Sequence, residues 1–439
     1  MATTVNAPGT LSSEDPGIGQ SIHELATRLF PICRSITGPG VRQTLRILQE
    51  SIPIQIHEVP TGTPVFDWIV PREWNIRDAF IADSSGRRIV DFQRNNLHVV
   101  GYSTPVDLRM NLPELNEHLF SLPDQPDAIP YVTSYYKERW GFCLTHRQRL
   151  QLKPDTYHVR IDSELKDGSL TYGEFIIPGA TRKEVFLSTY VCHPSMANNE
   201  LSGPVVTTFV CRWIQSRPRH YTYRIVFIPE TIGSITYLSR HREHLRDNVV
   251  AGFNISCVGD DRAFSYVSSR CANTLADKVA RHTLRSMSPN YVTFSFLDRG
   301  SDERQYCSPG VDLPLVTLCR TKYGCYPEYH TSLDNLELTT PRGLAGGYEM
   351  VRRCLEVLET NFRYKVTCFG EPCLGKRGLY PTLSQKGSAS TVKTMMDFLA
   401  YADGSNDLIG IAELIGVSVW DLLPIVTQLK TAGVITQVE

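Results

Sequence analysis

The chain has 439 residues, with 45 basic and 46 acidic side chains and a formal charge of -1. That balance excludes a globally basic binder of nucleic acid or anionic membranes, and an apolar fraction of 41% places the chain among globular proteins large enough for two or three domains. No apolar run reaches membrane-spanning length, and the 12 cysteines form no CxxC pair, so reduced thiols in a cytoplasmic setting are expected.

Residues 1–20 lack a basic stretch followed by an apolar one, so they read as a disordered leader and not as an export signal. In SIHELATRLFPIC, Ile22, Leu25, Leu29 and Phe30 share a helical face, and a second helix follows Gly38-Pro39-Gly40. Residues 54–59 read as a strand. From 62 to 152 the texture changes to many aromatics and prolines with short strand-like pieces, among them Trp68, Tyr131, Tyr135, Tyr136 and Trp140. A stretch of that length is too long for a loop, so it is expected to be an inserted β-rich domain, with aromatics that cover a pocket.

Residues 21–61 and 153–370 then form the expected main domain. Its strands are YHVRIDSEL, GSLTYGEFIIP, EVFLSTYVCHP, YRIVFIPE, VVAGFNIS, residues 291–296 and PLVTLCR, with helices at 205–216, 273–286 and from Arg342. A linker at 371–390 leads to three short helices and a terminal strand over 391–439, the order of a winged helix-turn-helix with Gly416 in the turn. The last of these helices, SVWDLLPIVTQLKTAG, in the recognition-helix position, is too apolar for a reader of base edges, which favours packing or protein contact over nucleic acid.

Three stretches at predicted strand ends or loops carry the chemistry: His193 with Asn199 and Glu200, Glu230 in the turn after RIVFIP, and His330 after Tyr329. In an open α/β sheet such positions face one crevice. Two imidazoles and two carboxylates there make the inventory of a zinc hydrolase, in which the metal lowers the pKa of a bound water to about 7 and a carboxylate takes its proton. Cys192, next to His193, is expected to face the core because neighbours along a strand point to opposite faces.

The order HP, NELSG (199–203), ETIG (230–233), NISCVG (254–259) and YHT (329–331) resembles the M28-type zinc peptidases. Over its whole length the chain resembles the DUF4910 family, with an inserted DUF2172 domain and a C-terminal winged helix. The resemblance implies an α/β fold with a mixed-sheet zinc-peptidase core of the phosphorylase/hydrolase type. It also implies that Glu230 is the general base. Asn199, Thr231 and Ser256 stand where the family has acidic metal ligands. One zinc per chain is therefore expected, held by His193, Glu200 and His330, with Asn199 as the competing ligand and Asp302 fixing an imidazole tautomer.

The expected reaction is cleavage of an amide in a small peptide or acyl-amino-acid substrate. Arg304 or Arg270 would receive a carboxylate, Glu328 or Asp260 a free amine, and Tyr329 would contact the substrate. No membrane partner is expected, and an assembly of identical chains is compatible with the sequence. The competing reading is a degenerate, ligand-sensing scaffold protein acting through its winged helix.

Overall fold

The strand Glu184–Tyr190 is buried along its whole length, as its place in the middle of a parallel sheet requires, and its polar Glu184, Ser188 and Thr189 are buried with it. The computed structural model describes residues 17–379 and 388–438. They divide into two compact units: residues up to 277 with 291–349, and residues 278–290 with those from 350 onward.

The first unit is organised on an eight-stranded sheet. Its order is Gln55–Pro60, Ser169–Ile177, Thr222–Ile228, Glu184–Tyr190, Val249–Ile255, Leu315–Cys319, Ser265–Val267 and Val292–Phe294. The four central strands are parallel, with Leu187 opposite Ile225 on one side and Phe253 on the other. Antiparallel strands flank them. The carboxyl ends of the central strands therefore open on one edge, where ligands collect in such sheets.

After Glu184–Tyr190 the chain makes one π-helical turn, Ala197–Leu201, before the helix Ser202–Gln215. The helix can begin this close to the sheet because residue 203 is glycine. A Cβ there would lie 2.3 Å from Thr189 Oγ1 and 2.5 Å from the Ile255 carbonyl oxygen.

The inserted segment builds its own four-stranded antiparallel sheet, ordered Arg88–Asp91, Glu73–Ala82, Thr156–Lys166 and Val106–Asn111. Here the structure corrects the expected boundary. Thr156–Lys166, expected as a strand of the main sheet, pairs with Glu73–Ala82, so the insert runs to about residue 166 and not 152. The alternate burial of Tyr157, Val159 and Ile161 marks a strand but does not encode its partner.

In the second unit, the helices Ser388–Tyr401, Leu408–Ile415 and Val419–Thr431 accompany a sheet ordered Asp403–Asp407, Arg363–Val366, Ile435–Val438. The winged-helix unit thus takes its central strand from residues ahead of the expected linker. Gly416 closes Leu408–Ile415 in the left-handed conformation at φ 72°. Val419, Leu422, Ile425, Val426 and Leu429 are buried, so the apolar face of the last helix is spent on packing.

The expected leader falls mostly outside the described residues, which begin one residue before the helix Ile18–Leu29; residues 380–387 of the expected linker lie outside them too. Among the described residues no single helix is long and apolar enough to cross a membrane.

Candidate functional site

His193, Glu230 and His330 come together at the carboxyl edge of the parallel strands. With Cys192, Thr231, Arg304 and residues of the inserted segment they line a cavity of about 240 Å³. His193 Nε2 lies 3.7 Å from Glu230 Oε2, and the two imidazole centroids are 5.5 Å apart.

Each side chain is delivered by a local device. Glu230 follows the strand Thr222–Ile228 and enters a tight turn centred on Thr231, which has φ 64° and ψ -77° and is closed by the Ile232 N–H donating to the Glu230 carbonyl at 2.8 Å. This is the γ-turn of positive φ, strained for any residue and more so for a β-branched one. His330 also has positive φ, 56°. Its loop is held by the insert: Tyr131 N–H donates to the His330 carbonyl at 2.8 Å, and Ser332 N–H donates to the Ile129 carbonyl at 2.9 Å. Backbone strain at two of the cavity's polar residues persists only because these surroundings fix it.

Glu200 is not where the expected ligand set needs it. The π-turn directs its carboxylate behind the His193 ring, where Oε2 accepts from Nδ1 at 2.9 Å and Oε1 lies 3.2 Å from Arg34 Nε. Arg34, itself fully buried, also donates to the carbonyls of His193 and Leu29. The Nδ1 edge of the His193 ring therefore meets Glu200 and Cys192, and the Nε2 edge lies toward Glu230. Cys192 Sγ, His193 and Glu200 also form a group whose donor atoms lie within 4.8 Å of one another. A cation there would face the buried Arg34 guanidinium, whereas on the Nε2 side the Arg304 guanidinium is accompanied by the Glu230 carboxylate.

Asp302 does not bond either imidazole. Its Oδ1 accepts from Thr231 N–H at 2.7 Å and Ser234 Oγ at 2.8 Å, and its buried Oδ2 has no partner among the described residues. The roles expected of Glu200 and Asp302 are exchanged: Glu200 fixes the imidazole tautomer, and Asp302 braces the turn that carries Glu230.

Burial and the charge of Glu230 push the Asp302 carboxyl up to about 7. Burial likewise raises Glu230, against the pull of His193. At His193 burial opposes protonation, but the hydrogen bond and charge of Glu200 outweigh it and the net shift is upward. At His330 burial and the nearby His193 push the imidazole down to about 3, so it is a neutral base with Nε2 buried and unpartnered among the described residues.

Other expected positions resolve differently. Asn199 does not line the cavity; its Nδ2 donates to Tyr190 Oη at 2.9 Å, while its buried Oδ1 has no partner among the described residues. Arg270 forms an exposed ion pair with Asp312 and does not line the cavity. Arg304 does line it, with Nη2 2.5 Å from Thr231 Oγ1. Tyr329 stacks flat on His330, centroids 3.9 Å apart at 15°, so it props the ring and does not face the cavity. Glu328 pairs with Arg262, and Asp260 is spent on Thr321, Asn198 and the Arg262 N–H. Cys192 lines the cavity, against expectation, because the strand ends at Tyr190 and its alternation does not extend to residue 192. From the aromatic insert, Trp68, Tyr131, Tyr135 and Tyr136 reach the cavity, whereas Trp140 stacks on His118.

Two residues central to this geometry carry no sequence signal. Arg34 is one. Asp334 is the other: it accepts backbone N–H groups of Ala197, Asn198 and Asn199 as well as Tyr326 Oη, and so pins the π-turn to the His330 loop.

Comparison with known proteins agrees with this architecture. The profile of a domain of unknown function, DUF4910, matches residues 23–361, and that of a winged helix-turn-helix matches 362–437. A relative from Clostridium acetobutylicum is 45% identical over 399 residues, 90% of this chain and 91% of the relative, and is provisionally named a polysaccharide biosynthesis protein with aminopeptidase-like domain. A crystal structure from the same organism, provisionally described as a peptidase, superposes with a TM-score of 0.91 at 42% identity, covering 96% of both chains. A zinc aminopeptidase from Bacillus subtilis shares the fold, with a TM-score of 0.56 at 11% identity over 79% of this chain and 96% of that one.

Proposed function

The chain belongs to the DUF4910 family, and from that premise we propose that it is a peptidase-type hydrolase that cleaves an amide bond with one bound zinc. The observation that carries this reading is the convergence of His193 Nε2, His330 and Glu230 on one face of a small, aromatic-walled cavity.

The donor types there, two imidazole nitrogens and a carboxylate, suit a single divalent ion, although the donor atoms of His193, Glu230 and His330 do not all lie within 4.8 Å of one another and the ion would draw them closer. His193 has its Nδ1 committed to Glu200, and His330 Nε2 is a buried nitrogen lacking a partner among the described residues. These two nitrogens would hold the metal, with Glu230 beside them. The ion, when bound, supplies Lewis acidity toward a water and a carbonyl oxygen.

The chain's own residues do the rest. Glu200 and Arg34 hold His193 in the tautomer that leaves Nε2 free. Glu230, raised by burial, is suited to take a proton from water near neutral pH and return it to the departing nitrogen. Arg304 receives a substrate carboxylate. Trp68, Tyr131, Tyr135 and Tyr136 exclude water and limit substrates to small ones such as an N-acyl amino acid or aminoacyl amide. The name of the Clostridium relative is compatible with a substrate from polysaccharide assembly, such as an acylated amino sugar.

Metal analysis of the purified protein tests the reading. About one zinc per chain, lost in His193→Ala, is expected, together with turnover of a member of a panel of N-acyl amino acids, aminoacyl amides and N-acyl hexosamines. Absence of metal from both proteins would leave a ligand-sensing scaffold.

A further inference from the structure

Tyr131 and Tyr135 place their hydroxyl oxygens 2.5 Å apart inside the cavity. Two phenols carry two protons, and a bond between them uses only one, since one oxygen donates and the other accepts. Among the described residues no further group accepts from either hydroxyl, so the second proton is free to meet whatever occupies the cavity. It also belongs to the stronger donor of the two, because a hydroxyl that accepts a hydrogen bond is polarised toward donating its own.

The position of the pair is as specific as its protonation. The Tyr131 ring lies 5.2 Å from the His193 ring and 5.1 Å from the His330 ring, centroid to centroid. Its backbone N–H holds the His330 carbonyl, so it cannot shift independently of that imidazole. Tyr135 packs edge-on against Tyr102, 5.2 Å away, and the Tyr102 hydroxyl is in turn 2.5 Å from Thr37 Oγ1. The pair is therefore a rigid donor in the same cavity as Glu230.

Amide hydrolysis needs such a group. When the water oxygen bonds to the carbonyl carbon, the C=O π pair moves onto oxygen and the water's proton passes to Glu230. When the oxyanion re-forms C=O, the C–N bond breaks and the nitrogen leaves with the proton held by Glu230, giving a carboxyl and an amine. Between these steps the oxyanion needs a fixed hydrogen-bond donor. The geometry points to the Tyr131–Tyr135 hydroxyl pair as the oxyanion donor of this site, contributed by the inserted segment. This assignment rests on the hydrolase reading above.

Inorganic phosphate, a tetrahedral oxyanion, is the probe. It is titrated calorimetrically into the full chain, zinc-loaded and zinc-free, for the wild type, Tyr131→Phe, Tyr135→Phe and the double variant. Phenylalanine keeps the rings, so zinc content and the thermal midpoint serve as controls for folding and for the metal. The expected result is unchanged zinc uptake with phosphate affinity falling about tenfold or more in the double variant, the loss typical of a hydrogen bond to a charged acceptor, and by less in each single variant. For any substrate the wild type turns over, kcat falls about a hundredfold while KM stays within a few-fold. Equal phosphate affinity in the wild type and double variant, or no phosphate binding by the wild type, would overturn the assignment while leaving the zinc result intact. Failure of the wild type to take up zinc would instead defeat the hydrolase reading. The zinc-free titrations then decide on the hydroxyl pair alone: a tenfold difference keeps it as an anion donor, and equality removes it.

Discussion

Glu200 accepts from His193 Nδ1 at 2.9 Å on the side of the ring opposite Glu230, which lies 3.7 Å from Nε2. The imidazole is thereby a two-sided part, with one nitrogen spent on support and one presented to the cavity. Whether a carboxylate next to a histidine is a ligand or a support depends on which nitrogen it meets.

Glu200→Gln should keep the fold and weaken zinc binding by about 10–100-fold, because the imidazole loses its anionic partner. Glu200→Ala should in addition destabilise the protein by about 3–5 kcal/mol, since it strands the buried Arg34 guanidinium. Competition with a zinc chelator and thermal unfolding separate the two effects.

The Asp302 carboxyl sits at about 7 in the folded chain against its ordinary 3.8. A raised acid binds its proton more tightly in the folded state. Its stabilising contribution is therefore complete below about pH 4 and is lost as pH rises through 7. In chelator-treated protein, Asp302→Asn should remove a fall in stability of the order of 4 kcal/mol across that window, read from denaturant midpoints at each pH. An unchanged slope would show that the proton resides elsewhere. Asn can still accept from Thr231 N–H and Ser234, so the turn should persist.

Thr231→Gly and Thr231→Ala both delete the hydroxyl that meets Arg304, but only glycine tolerates the positive φ of the γ-turn. The alanine variant should be less stable than the glycine variant by about 1 kcal/mol, a difference that isolates backbone strain. Equal stabilities would mean that the turn relaxes when the hydroxyl goes.

Gly203→Ala should destabilise by about 1–3 kcal/mol, because the new methyl meets the Ile255 carbonyl oxygen, which cannot move without disturbing a central strand. Chemical denaturation measures this directly. A neutral result would mean that the helix Ser202–Gln215 can withdraw from the sheet.

The sequence made the main sheet and the three cavity residues legible for one reason: apolar runs ended at His193 and Glu230, and strand ends in such sheets share an edge. His330 followed from the YHT motif. That the Glu200 carboxylate meets Nδ1 and stays out of the cavity lining is not legible, because Glu200 lies in a π-turn, whose side-chain directions follow neither helical nor strand periodicity. Arg34 and Asp334 were invisible because each acts on backbone groups more than 130 residues away, and nothing near either residue announces the partner. The boundary of the insert slipped for a similar reason: the strand Thr156–Lys166 looks the same whichever sheet it joins.

The bonds between Ile129–Tyr131 and His330–Ser332 have a consequence for engineering. An aromatic insert that merely roofed a finished site would be a replaceable part, to be trimmed for wider access or exchanged between relatives. Here one imidazole takes its backbone posture from the insert, so the two stretches are a single inheritance. A chimera that imports residues 62–166 from a relative should recover the pocket only if it imports the matching 327–335 loop as well.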